Sequence, residues 1–470
     1  MQGVSQRFFL ALGALLVLAS VQVQALAQTA PADETRPPLT RPTILSRPVP
    51  HPPVTTTQPA PPDIASPQPA DDTQPTYLTP IVGAQGLLVE TLDGQMLYGQ
   101  ALTESFNPAS AVKLATALDA LRTFGPQHRF ITAVWTDGSF DQATGTLNGN
   151  LIISGRDPSF HYEHAVMVAQ ELNRQGIRTV TGDLIVASGF TMNFDWSARR
   201  SGEKLYDTLD ATLRPAAATR AWNEQRLATG ETSDAQSVPS VAVMGEVLVN
   251  SVPAGARMLL VHRSSKLVDV LKVLLCYSNN FMAERIGDSL GGAQGLRRFL
   301  IDAVGVSPSE VSLASTSGLG VNRLTPPAMM KVYRALIEEL AKYQLTAADI
   351  MPVAGVDPGT LEKRYTSWPS RGSVIAKTGT LIRTDGGASA LVGQMRTKSG
   401  ETLLFVIFNQ HGSVPRFREN QDFLVTQIQN SRGGPAPFAY QPTTLAMRLR
   451  DTELDSAKPA STDEYEPGSN

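Results

Sequence analysis

The chain has 470 residues, 42% of them hydrophobic and 18% charged, which is enough apolar material for a sizeable core and excludes a wholly disordered protein. Its formal net charge of -3 lacks the basic excess that neutralises phosphates, so nucleic acid is not an expected partner. With one cysteine, Cys276, no internal disulfide can form; set after Val273-Leu274-Leu275, it reads as a small buried hydrophobe.

At the amino end, Arg7, the apolar run Phe8 to Leu18 and the small-residue ending Ala25-Leu26-Ala27 predict a cleaved signal peptide over 1–27, hence a periplasmic or secreted protein. The run is short for a membrane span, and no later segment is apolar enough for one. Residues 28–79 carry fourteen of the 33 prolines and read as a disordered linker. The core then opens on a predicted hairpin, Leu87 to Thr91 and Met96 to Tyr98, joined at Asp93-Gly94. A helix is predicted to open near Pro108. From 124 to 260 the strand-like runs Phe130 to Trp135, Leu151 to Ser154 and Asp183 to Val186 suggest a mostly β inserted domain. Helices are predicted over Lys266 to Tyr277 and Phe281 to Leu290, and after a Thr325 cap with Pro326 in the first turn. Three strand runs close the core: Ser373 to Leu381, Ala388 to Met395 and Thr402 to Phe408. Together with the hairpin they predict an α+β fold with one five-stranded antiparallel sheet, built from 80–123 and 261–432. The polar stretch 433–470 reads as a disordered tail.

Three short patterns can carry chemistry. Ser110-Ala111-Val112-Lys113 puts a hydroxyl and an amine on one helix face, where a lysine kept neutral by burial can take the serine proton. A second match, Ser201-Gly202-Glu203-Lys204, shows that the pattern alone is weak. Ser278-Asn279-Asn280, between two predicted helices, offers a hydroxyl to relay the proton and an amide to hold substrate; Ser105-Phe106-Asn107 repeats that pattern. In Lys377-Thr378-Gly379-Thr380, on the first closing strand, Lys377 and Thr378 suit a terminal carboxylate. Gly379 suits close backbone approach, and the Thr380 N–H suits an oxyanion hole. Lys398-Ser399-Gly400 instead reads as a hairpin turn. The three agree in order and setting: a helix start, a loop between helices, and a strand after the helical region.

These residues resemble the active-site serine penicillin-recognising enzymes. Further runs resemble the D-Ala-D-Ala carboxypeptidase and endopeptidase family, the low-molecular-mass class C penicillin-binding proteins. Those runs are Asn107-Pro108-Ala109-Ser110, Gly155-Arg156-Asp157-Pro158, Ser278 through Glu284, Ser317-Gly318-Leu319, Asn322 through Pro326, and Met351 through Asp357. The resemblance implies a five-stranded antiparallel sheet with helices on both sides, interrupted by an inserted domain. It implies Ser110 as the acylated residue, Lys113 as its base and Ser278 as proton relay. Asn280, Lys377, Thr378, Gly379 and Thr380 become substrate contacts, and the Ser110 N–H the second oxyanion donor. It implies peptidoglycan stem peptides as substrate, β-lactams as covalent inhibitors, and no metal or organic cofactor. The 168-residue spacing from Ser110 to Ser278 is short for the family and implies a reduced insertion. Ser315 and Gly320 replace the family's usual Asp and Ser.

Three other readings stay open at this level. A serine β-lactamase shares the motifs, although no E-x-x-L-N stretch occurs. A metallopeptidase could use His161 and His164, although H-E-x-x-H is absent. A catalytically inactive wall-binding scaffold could keep the fold.

Overall fold

The computed structural model describes residues 82–230 and 238–456. The expected signal peptide, the linker to 79 and the last fourteen residues of the expected tail lie outside the described residues.

Strands β1 (Ala84–Thr91) and β2 (Met96–Gln100) form the predicted hairpin. Its turn is closed by Thr91 Oγ1 on Asp93, while Gly94, at φ 94°, donates its N–H to the Thr91 carbonyl. Helix α1 (Lys113–Phe124) follows, then β3 (Arg129–Thr136), β4 (Leu151–Gly155), α2 (Tyr162–Arg174) and β5 (Leu184–Val186). Next come α3 (Ala198–Leu209), α4 (Ala216–Thr229), β6 (Val247–Val249) and β7 (Arg257–Lys266). The helical middle is α5 (Leu267–Tyr277), α6 (Asn280–Ser289), α7 (Gly292–Asp302) and α8 (Pro326–Lys342). The chain ends with β8 (Val374–Leu381), β9 (Ala388–Arg396), β10 (Thr402–Gln410), α9 (Val414–Ser431) and β11 (Glu453–Ser456).

The first sheet has the order β8-β9-β10-β1-β2, antiparallel at every pairing. Alternation decides which side chains go where. Ile375, Val392, Leu404, Val406 and Phe408 pack on one face with α1, α5 and α8. Their neighbours Val374, Ala376, Leu391, Leu403, Phe405 and Ile407 pack on the other face with Leu424, Val425 and Ile428 of α9. A one-residue slip would exchange the two sets, so burial on both faces fixes the register, at roughly 1.5–3 kcal/mol for each large apolar side chain. Helix α8 starts as the sequence predicts, Thr325 Oγ1 accepting from the Ala328 N–H at 3.2 Å to cap it, whereas the helix expected near Pro108 opens as a 3-10 turn and becomes α-helical at Lys113.

A second sheet, of order β6-β5-β4-β3-β7-β11, lies within the same compact unit. One of its faces packs under α2 and α3 through Val168, Leu172, Leu205 and Leu209. Among its described residues, the region 124–260 thus holds three helices as well as its strands.

The expected disordered tail departs from the structure between 433 and 456. Phe438, Tyr440, Leu445 and Leu449 pack against the main core, and β11 adds to the second sheet with Leu260 opposite Ser456. Arg129 pairs with Asp451 at 2.9 Å and with Glu453 at 3.1 Å. A few well-spaced hydrophobes and an open strand edge suffice to dock a segment whose composition is otherwise polar.

Candidate active site

The turn before α1 is shaped by Asn107, whose Oδ1 accepts from the Ala109 N–H at 3.0 Å. Its Nδ2 donates to the Gly320 carbonyl at 3.0 Å and to Asp385 at 2.8 Å. Arg323 completes this clamp with two bonds to Asp385, at 2.7 and 2.9 Å. Ala109, at φ 46°, turns the chain into the 3-10 stretch Ala109–Val112, so that Ser110 sits one turn ahead of Lys113.

Lys113 is fully buried and bonds three oxygens: Ser110 Oγ at 2.9 Å, Asn280 Oδ1 at 2.7 Å and the Ser317 carbonyl at 2.6 Å. Burial, then the Lys377 charge, hold its amine well below the usual lysine range, against an opposing pull from Glu284. A neutral amine beside a hydroxyl is the arrangement that activates a serine.

Ser278 ends α5 in a left-handed conformation, φ 56°. Asn279 caps α6 by accepting from the Met282 N–H at 3.1 Å, which leaves Asn280 in the first turn of that helix. Lys377 reaches Ser278 Oγ at 2.8 Å and the Thr378 carbonyl at 2.7 Å; burial brings its amine down to about 7. Both lysines are therefore joined to the Ser278-Asn279-Asn280 loop.

Two glycines let backbones meet at the serine. A Cβ on Gly318, at φ 86°, would collide with the Ala109 carbonyl, and one on Gly379 with the Pro108 carbonyl. Gly379, expected to allow close approach of substrate, lies here against the chain's own turn at Pro108. Thr378 is buried and Thr380 half-buried, its hydroxyl donating to the Gly379 carbonyl at 2.8 Å.

Glu284, one helical turn beyond Asn280, ends the run Ser278 through Glu284 but has no role assigned from the sequence. It accepts from the Ser317 N–H at 2.9 Å and from Thr316 Oγ1 at 2.8 Å, fixing the loop whose carbonyl receives Lys113. The i, i+4 spacing from Asn280 was the available signal. Ser315, where the family usually has Asp, still closes this loop: its Oγ accepts from the Gly318 N–H at 3.0 Å.

The competing motifs are occupied elsewhere. Ser201 is buried and accepts from the Met192 N–H at 3.1 Å, while Lys204 pairs with Asp195 at 2.7 Å. Phe106 lies in the main core. Gly400 sits at φ 89° in the turn between β9 and β10. His164 Nδ1 accepts from the His161 N–H at 3.0 Å at the start of α2. Cys276 is buried, and burial pushes its thiol up to about 12.

The family model of the D-Ala-D-Ala carboxypeptidase 3 (S13) family matches residues 81–204 and 208–430. The chain belongs to this family. By that membership it is a serine-type D-Ala-D-Ala carboxypeptidase, a hydrolase. It is similar to the D-alanyl-D-alanine carboxypeptidase of Actinomadura sp. strain R39, at 27% identity over 75% of this chain and 82% of that one. It is similar also to the D-alanyl-D-alanine carboxypeptidase DacB of Haemophilus influenzae, at 25% identity over 64% and 79%. Among solved structures, the fold is shared with a predatory peptidoglycan endopeptidase from Bdellovibrio bacteriovorus. There the TM-score is 0.65 and the identity 21%, over 81% of this chain and all of that one.

Proposed function

We propose that this S13 peptidase is exported and cleaves the D-alanyl bond of peptidoglycan stem peptides through an acyl-enzyme on Ser110. The observation that carries this reading is the 2.9 Å contact between Ser110 Oγ and a buried Lys113 whose amine is held well below the lysine range.

In this reading the neutral Lys113 amine takes the Ser110 proton as Oγ attacks the carbonyl carbon. The N–H groups of Ser110 and Thr380 receive the oxyanion. Collapse of the tetrahedral adduct breaks the C–N bond, and the leaving amine gains a proton relayed from Lys113 through Ser278. Asn280 spends its carbonyl on Lys113, which leaves Nδ2 to donate to substrate; Thr378 and Lys377 line the strand side of the site. Water then attacks the ester, with Lys113 again as base, and frees Ser110. A β-lactam enters by the same attack and stays as a covalent adduct. The region 124–260 is read as the inserted domain, placed to select among long substrates, and the first 27 residues as the signal peptide.

Incubating the purified chain with a peptide ending in D-Ala-D-Ala should release the terminal D-alanine, and Ser110→Ala should abolish that release. Release undiminished in Ser110→Ala would remove the serine mechanism. Parallel incubation with cross-linked muropeptides, followed by mass spectrometry, separates carboxypeptidase from endopeptidase action. Rapid turnover of penicillin by the parent chain would favour the β-lactamase reading.

A further inference from the structure

We propose that Arg418 supplies the positive charge that holds the carboxylate on the leaving side of the scissile bond. The proposal rests on the acyl-transfer reading above and adds a residue to it. Arg418 lies in the first turns of α9, outside every motif of the sequence reading. Its guanidinium donates to Thr380 Oγ1 at 2.8 Å. Thr380 follows Gly379, whose backbone lies against the turn that presents Ser110. The guanidinium therefore stands at the end of the strand that carries Lys377, beside a threonine whose N–H is expected in the oxyanion hole.

Charge decides between this arginine and Lys377 as the carboxylate's partner. Lys377 is fully buried, its amine lies at about 7, and two of its bonds are spent on Ser278 and the Thr378 carbonyl. A carboxylate asked to pair with it would meet a buried amine whose bonds are already engaged. Arg418 is exposed and stays charged. The acid one turn along α9, Asp422, is taken by Arg364 at 2.8 Å. Among the described residues no carboxylate lies within ion-pair distance of Arg418. A planar fork with no acid in direct contact, its nearest favourable charge being Asp422 already paired to Arg364, and held against the Thr380 hydroxyl, matches the geometry of a carboxylate.

The test uses Arg418→Gln and Arg418→Lys in the full chain, with two acyl donors that differ only in whether the leaving residue ends in a free carboxylate or a carboxamide. The parent should prefer the carboxylate donor. Arg418→Gln should lower kcat/KM on that donor by roughly ten- to hundredfold, the scale of one charge-assisted hydrogen bond, and leave the carboxamide donor unchanged. Arg418→Lys should restore part of the loss. An equal loss on both donors would mean that Arg418 only supports the fold of β8, and no loss on the carboxylate donor would mean that it does not touch substrate; either overturns the proposal. Failure of the underlying reading shows separately, as turnover of both donors by Ser110→Ala.

Discussion

Replacing Lys113 by alanine should lower the rate of Ser110 acylation by at least about a hundredfold, the low end for losing a positioned general base. Stopped-flow acylation with a labelled penicillin measures this directly. In the parent chain the base works only when neutral, so acylation is fully present above the Lys113 pKa and is lost as pH falls through it. Burial and the Lys377 charge hold that pKa well below the usual lysine range, so the rising limb of the pH profile should lie well below 10.5. A limb near the ordinary lysine value, or near-normal acylation by Lys113→Ala at neutral pH, would mean that another group activates Ser110.

Breaking the ion pair between Lys272 and Asp357 should cost about 3–5 kcal/mol of folding stability, because the surviving partner is left buried and uncompensated. Both side chains are fully buried, 2.7 Å apart. Lys272 also donates to the carbonyls of Ala348 at 2.8 Å and Met351 at 2.6 Å, while Asp357 accepts from the Val353 N–H at 2.8 Å and from Tyr440 at 2.8 Å. The pair thus pins the stretch 348–357 to α5, the helix that ends in Ser278, and Val353 bridges to Ile375 on β8, two residues before Lys377. Two walls of the site are located by one buried contact. Urea denaturation at pH 7 should show Asp357→Ala and Lys272→Ala each strongly destabilised. Lys272→Met with Asp357→Leu should recover much of the loss, since an apolar pair leaves no stranded charge. Single variants as stable as the parent would show that water reaches the pair.

What was legible in the sequence follows the range of the interaction. The five strands of the main sheet could be read because two-sided burial writes itself as runs such as Thr402 to Phe408, and the Asp93-Gly94 turn marks the hairpin. Ser110 and Lys113 were legible because one helical turn brings them together. The loop at Ser278 was legible because Leu-rich α5 and the start of α6 bracket it. The role of Glu284 was not, since its partners Thr316 and Ser317 lie more than thirty residues away in sequence, and only the fold brings them to it. Arg418 likewise carries no local mark; its meaning comes from β8. The docked segment after 433 was missed because its polar composition hides the apolar contacts of Phe438 and Leu445. Helix α4 was missed because its weakly patterned sequence gives no strong period of its own, whereas α3, with Leu205, Thr208 and Leu209 on one buried face, carried a helical period that the strand-like runs around it masked.

The central claim is that Ser110 is the residue acylated. The most direct measurement is mass spectrometry of proteolytic fragments after brief exposure of the purified chain to penicillin. The account predicts one adduct, on the fragment containing Ser110, present in Ser201→Ala and absent in folded Ser110→Ala. An adduct on any other residue, or one that persists in Ser110→Ala, would contradict it.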